Sequence, residues 1–148
     1  TKWLVFNPKT KEESIVAGYN TSWCTARDDE HNLWNTYIYE GNTAWIFLLS
    51  GKYKNDNPDK YNELVNDKLD KVCIIVERGE CKNRPDDQFE LKLLPEIGRF
   101  IEDRIDDNSI KLANHDIFDY YDGINDILTG IRNKNNRLYH AINFTKER

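Results

Sequence analysis

The sequence predicts an α+β fold: one domain with a small, mainly antiparallel sheet, packed by one helix after a Trp-Cys turn and by two C-terminal helices. Three observations predict it. Apolar runs at Ala44–Leu49 and Lys71–Glu77 have strand length and end at glycine or turn residues. The C-terminal third carries apolar stripes at helical spacing. The chain has 148 residues, the usual size of one domain with room for a real core. No repeat, low-complexity tract or long linker divides it. The expected layout is sheet-rich over 1–94, helical over 95–133, with a final strand over 137–144.

The elements follow in order. Trp3-Leu4-Val5-Phe6 reads as a strand closed by a turn at Asn7-Pro8. Glu12–Val16 suits either a second strand or a helical turn. Gly18-Tyr19-Asn20 breaks the pattern and leads through Thr21–Arg27, read as a β-to-α turn. Leu33, Trp34, Tyr37 and Ile38 then form a helical stripe, and Gly41 stands where a helix ends. Ala44–Leu49 is the kind of strand buried on both faces. Lys52–Asp59 reads as a polar loop. Lys71–Glu77 turns at Arg78-Gly79-Glu80, and Phe89, Leu91 and Leu93 alternate as a further strand, which makes an antiparallel meander. Pro95 opens a helix with Ile97, Phe100, Ile101 and Ile105 on one face. A second helix is expected from about Asp116 to Arg132, and Leu138, His140, Ile142 and Phe144 alternate as the last strand.

Composition narrows the function classes. Charged residues make up 32% of the chain and apolar ones 39%, a balance that would suggest disorder if aromatics were scarce. Four Trp, eight Tyr and six Phe instead supply the material of a core. The net charge is −5, and the nearest basic group, Lys52, Lys54 and Lys60, is broken by Asp56 and Asp59. Binding to phosphate backbones needs clustered cations, so general nucleic-acid binding is disfavoured. Ala44–Leu49 is the longest apolar run, against the roughly 20 residues that span a bilayer, so no membrane partner is expected. Three cysteines form no disulfide framework, which points to a reducing, cytoplasmic compartment. Cys73 and Cys81 flank the predicted hairpin out of register, so no bond is expected between them. The scattered His31, His115 and His140 give no zinc spacing, and no glycine pair can cradle a phosphate. Neither metal nor cofactor is expected. The chain contains no methionine and begins at Thr1, so it reads as a processed product or a piece of a longer one.

Chemistry concentrates in Thr21-Ser22-Trp23-Cys24-Thr25-Ala26-Arg27. A thiol becomes nucleophilic where a cation, a histidine or a helix N-terminus stabilises its thiolate. Cys24 precedes a predicted helix and stands three residues before Arg27, so Cys24 is one catalytic candidate. The alternative is that Trp23 and Cys24 fill the core while Thr21 and Thr25 cap the turn. His140 is the best partner for a catalytic Cys24. The order Cys24 then Tyr139-His140-Ala141-Ile142-Asn143 is similar to the later half of papain-like cysteine hydrolases, although Trp23 precedes the cysteine here. Paired carboxylates (Asp28 and Asp29, Asp86 and Asp87, Asp106 and Asp107) sit in turns and helix ends, where solvation and capping explain them. Thr21, Trp23, Thr25, Arg27 and Tyr37 are the candidate ligand-binding residues, because aromatics beside a cation can stack a base or anchor an interface.

One resemblance covers about two thirds of the chain. Thr21-x-Trp23-Cys24-Thr25-Ala26, then Trp34 and Tyr37 before Gly41, Trp45-Ile46-Phe47, Lys71-Val72-Cys73-Ile74-Ile75, Pro85-Asp86-Asp87 and Leu94-Pro95-Glu96 follow one another in order. This series resembles an uncharacterised family common in tailed phages and some large viruses, with a Gly-Thr-Lys-Trp-Cys-Thr-Ala signature. Asn20 stands where that family has glycine, and Ser22 where it has lysine. The resemblance implies a viral or phage-type accessory protein in the host cytoplasm and supplies no reaction. Two functional classes stay open at this point. One is a module that binds a host protein or small nucleotide-like ligand through the Trp23–Arg27 turn. The other is an enzyme using that turn, either a cysteine hydrolase with Cys24 and His140 or a nucleotide-transfer enzyme of ADP-ribosyltransferase type.

Overall fold

The structure is a computed structural model and describes residues 1–106 and 117–121. Five strands form one sheet: β1 (Trp3–Phe6), β2 (Ala44–Leu49), β3 (Lys71–Ile75), β4 (Glu80–Lys82) and β5 (Phe118–Tyr121), in the order β4-β3-β2-β1-β5. The β4-β3, β3-β2 and β2-β1 pairs are antiparallel, and β5 joins β1 in parallel with Trp3 opposite Phe118. The sheet is therefore mixed and the fold is α+β.

Strand alternation sorts the apolar side chains into two cores. Trp3, Val5, Trp45, Phe47, Leu49, Val72 and Ile74 point to one face; Leu4, Phe6, Ala44, Ile46, Leu48, Cys73 and Ile75 point to the other. The first face is covered by α4 (Pro58–Asn66) through Tyr61 and by α5 (Pro95–Asp106) through Ile97, Phe100 and Ile101. Phe100 lies 5.5 Å from the rings of Trp45 and Phe47 and 5.0 Å from that of Phe118, distances at which edge-on and tilted aromatic contacts add to the area buried. The second face is covered by α1 (Lys11–Ala17), the segment that follows it, and α2 (Trp34–Tyr39), through Ala17, Trp23 and Trp34.

Local chemistry accounts for most boundaries. Thr10 and Glu13 form a reciprocal capping box that starts α1, so Glu12–Val16 resolves as helix. Gly41 follows α2 with a left-handed φ of 80°, as at many helix ends. Gly79, at φ 62°, turns β3 into β4. The sequence expectation fails in three places. Lys52–Asp59 is helix rather than loop: Ser50 caps α3 (Gly51–Asp56) by accepting from the Tyr53 amide, and Pro58 opens α4. The glycine and proline that suggested a loop are start signals here. Leu91–Leu93 is a 3-10 turn, and only Phe89 of the alternating trio is buried. Phe118–Tyr121 is strand, where a helix was expected, because the outer edge of β1 offers Trp3–Phe6 as a pairing template to an aromatic run. The expected helix beyond Tyr121, the last strand and His140 lie outside the described residues.

The end of α1 is packed against the turn that follows it. A Cβ on Gly18 would stand 2.5 Å from the Ala26 Cβ and 3.1 Å from the Ser14 carbonyl oxygen. Gly18→Ala is therefore expected to destabilise the fold by about 1–3 kcal/mol, the usual cost of overpacking. The double variant Gly18→Ala, Ala26→Gly should recover part of that loss in urea denaturation, because the closest atom is then gone.

Candidate functional site

Thr21–Arg27 connects α1 to α2, so it is an α-to-α connection and not the β-to-α turn read from the sequence. Its shape begins at Asn20, whose φ of 61° is left-handed. Asparagine is, after glycine, among the residues that tolerate that region best. The Thr21 hydroxyl donates to the Gly18 carbonyl at 2.6 Å. Cys24–Ala26 form one 3-10 turn.

Three long-range bonds pin this connection. The Ser22 amide donates to the Arg84 carbonyl at 3.0 Å, the Trp23 indole N–H to the Asn83 carbonyl at 2.8 Å, and the Ser14 hydroxyl to the Thr25 carbonyl at 2.8 Å. Asn83 is itself held, since its side-chain oxygen accepts from the Asp87 amide at 2.8 Å and its own amide donates to the Asp87 carbonyl at 2.9 Å. Asn32 then gathers the far end: its side-chain amide donates to the carbonyls of Thr25 and Arg27, and its oxygen accepts from the Trp34 amide.

The predicted site residues divide by burial. Trp23 and Thr25 are core residues, 3% and 6% exposed. Thr21, Cys24 and Tyr37 are half-buried, and Arg27 is exposed. Cys24 and Tyr37 come together, with the Cys24 thiol donating to the Tyr37 hydroxyl at 3.7 Å. Burial, then Cys24, hold the Tyr37 phenol well above the usual range, so it stays protonated at neutral pH. A protonated phenol does not take a thiol's proton. The Arg78 guanidinium lies over the Tyr37 ring at 5.0 Å and is paired with Glu80 at 2.9 Å and Glu40 at 3.5 Å. Arg27 stands apart from this group. Its guanidinium forms a two-point pair with the Asp29 carboxylate at 3.0 and 2.7 Å, and Arg27 holds that carboxyl down to about 2.

Cys73 and Cys81 are free thiols. They occupy adjacent registers of the hairpin, Cys73 opposite Lys82 and Cys81 opposite Ile74, and point to opposite cores, as their spacing about the turn foretold. Among the described residues no cluster of histidine, cysteine and carboxylate could hold a metal ion, and no helix is long and apolar enough to cross a membrane.

Sequence reasoning passed over the polar group beneath the connection. Asp70 and Lys71 enter β3 fully buried, Asp70 accepts from Arg84 at 3.3 Å, and the Lys71 ammonium donates to the Tyr19 carbonyl at 2.8 Å. The available signal was the period of two, which places Lys71 on the same face as Cys73 and Ile75 in a strand buried on both sides.

The anchoring and the exposed residues separate energetically. Trp23→Ala is expected to cost about 3–5 kcal/mol, the loss of a core aromatic, whereas Arg27→Ala should stay within about 0.5 kcal/mol of the parent, both read from urea midpoints. No family model matches the sequence, and no curated protein or solved structure matches it.

Proposed function

We propose that this chain is an accessory binding module of the viral or phage type, acting in the host cytoplasm and engaging a host protein or a small nucleotide-like ligand through the Trp23–Arg27 connection. The supporting observation is that hydrogen bonds hold this connection at three points, two of them buried, while Ser22 and Arg27 stay exposed. A surface whose shape is set before binding loses little conformational entropy on complex formation. In this reading Trp23 and Thr25 shape the site from within. Arg27 faces the ligand, exchanging its pair with Asp29 for an anionic or carbonyl group, and the half-buried Cys24 and Tyr37, with Arg78 over the Tyr37 ring, give a second contact point for an apolar one. Thr21 fixes the entry turn through its bond to Gly18. Binding also fits Cys24 better than catalysis does, because its described partner is a phenol that remains protonated.

Arg27→Ala and Tyr37→Ala, each with its melting temperature recorded, test the proposal. The parent and both variants are used as bait in host lysate and titrated with adenine nucleotides in a calorimeter. A captured protein or a bound nucleotide that is lost at least tenfold in Arg27→Ala, in a variant that is as stable as the parent, is the expected result. Retention of every partner and every nucleotide by both variants would place the binding surface elsewhere. Rapid alkylation of Cys24 by iodoacetamide near neutral pH, with loss of a hydrolytic activity, would overturn the binding reading in favour of an enzyme.

A further inference from the structure

Two consecutive residues carry opposite charges into the interior at the head of β3. Asp70 has 0% of its surface exposed and Lys71 2%. Lys71 lies on the sheet face covered by α1, Trp23 and α2. Among the described residues its ammonium donates one hydrogen bond, to the Tyr19 carbonyl. Tyr19 begins a turn that Asn20 bends and that ends at Ser22, whose amide donates to the Arg84 carbonyl. The Arg84 guanidinium in turn donates to Asp70. These contacts close a ring from Lys71 to Tyr19, along the turn to Ser22, across to Arg84, and back through Asp70.

An ammonium carries three N–H bonds, and taking it out of water costs several kcal/mol unless charge and hydrogen bonds replace the hydration. One carbonyl and one adjacent carboxylate do so only in part. Burial pushes Lys71 down to about 7 while Asp70 opposes the fall, and burial likewise pushes the Asp70 carboxyl up against Arg84. The charged groups that face this amine are Asp70 on its own strand and, through Asp70, Arg84 of the loop after β4. The α1 side presents the Tyr19 carbonyl, and β2 presents Leu48 opposite Lys71.

We propose that Lys71 is a proton-operated latch on the Tyr19–Ser22 turn: neutral, it lies closed beneath the turn, and protonated, it reaches water by opening the turn while the sheet stays folded. The turn is the wall that can move. Strand β2, opposite Lys71 at Leu48, is paired on both sides, whereas the turn is an irregular segment joined to Lys71 and to Arg84 by one hydrogen bond each. The sign follows from proton counting. The open turn binds a proton on Lys71 up to the ordinary lysine range, and the closed turn only up to about 7. Closing therefore becomes more favourable as pH rises between those limits and is least favourable, and pH-independent, below the lower one. The latch operates whether or not the connection binds a partner, so it stands apart from the proposed function.

Hydrogen exchange in the full chain from pH 6 to 9, corrected for intrinsic exchange rates, tests this. The protection factor of the Ser22 amide is expected to climb by up to about tenfold per pH unit above 7 and to level off below it. The Phe47 amide in the middle of the sheet should change by less than about twofold. In Lys71→Met the Ser22 protection should lose its pH dependence. A Ser22 amide with flat protection, a parallel climb at Phe47, or a slope that survives in Lys71→Met would each overturn the proposal. Should Lys71→Met not fold, the Lys71 Cε resonance of the parent decides: a midpoint above 7 and below the ordinary lysine range supports the latch, because the open turn shares the proton, and a midpoint at 7 or in the ordinary lysine range ends it.

Discussion

Three adjacent strands that are apolar on both sides must be covered twice, and the rest of the molecule follows from that requirement. Strands β1, β2 and β3 send alternate side chains into two separate cores, all of them buried. Fully burying each large side chain contributes about 1.5–3 kcal/mol, so leaving either face open would forfeit much of the stability of so small a domain. Helix α5 closes one face with Ile97, Phe100 and Ile101, and α4 adds Tyr61. The other is closed by short pieces: seven residues of α1, the 3-10 turn at Cys24–Ala26, and six residues of α2. Helices this short do not hold themselves together in water. They are held by capping, by Trp23 and Trp34 inserted into the core, and by hydrogen bonds to loops at the far end of the sheet.

That division explains why the unusual Trp-Cys segment is both core and surface. Trp23 must point inward because the second face has no long helix to cover it, and its indole N–H then needs an acceptor in the interior, which the Asn83 carbonyl supplies. Once Trp23 points in, the 3-10 geometry turns Cys24 toward Tyr37 and leaves Arg27 in solvent beside Asp29. The close approach of Gly18 to Ala26 fixes the angle at which the connection leaves α1. A surface built this way is set by the core beneath it, which is the physical basis for reading it as a preformed binding face.

The legibility of the fold followed burial. Strands β1, β2 and β3 could be read because runs of apolar residues bounded by turns have few alternatives. The first helix could not be decided, since seven residues give too short a stretch for periodicity, and the capping box of Thr10 and Glu13 was the better signal. Gly51 and Pro58 were read as breakers, although each stands at the first position of a helix, where neither is costly. Phe118–Tyr121 matched a helical stripe as well as a strand, and the vacant edge of β1, a tertiary fact, decided it. At the candidate site the segment itself was visible from its composition, and the inward turn of Trp23 was one of the two readings it allowed. The pairing of Cys24 with Tyr37 was not visible, because it depends on how two helices cross. Leu33 and Ile38 were counted in the stripe of α2, yet both are more than 40% exposed and Trp34 alone is buried, so a short helix on a crowded face uses one side chain where the pattern offered four.

Lys71 sharpens the same lesson, because alternation places it in the core and its chemistry opposes that placement. A buried charge with incomplete pairing does not stabilise a fold, and an apolar residue of similar length commonly does so better. Buried Lys71 therefore adds little to closure of the second face at any pH where it is charged. What an amine adds there, and a methionine would not, is a dependence on protons, directed at the wall that its ammonium bonds. That wall is the turn leading directly into Trp23 and Cys24. A residue whose burial as an ion opposes folding thus sits under the entry to the segment where composition, anchoring and exposure all concentrate, and it couples the state of that entry to the acidity of the solvent.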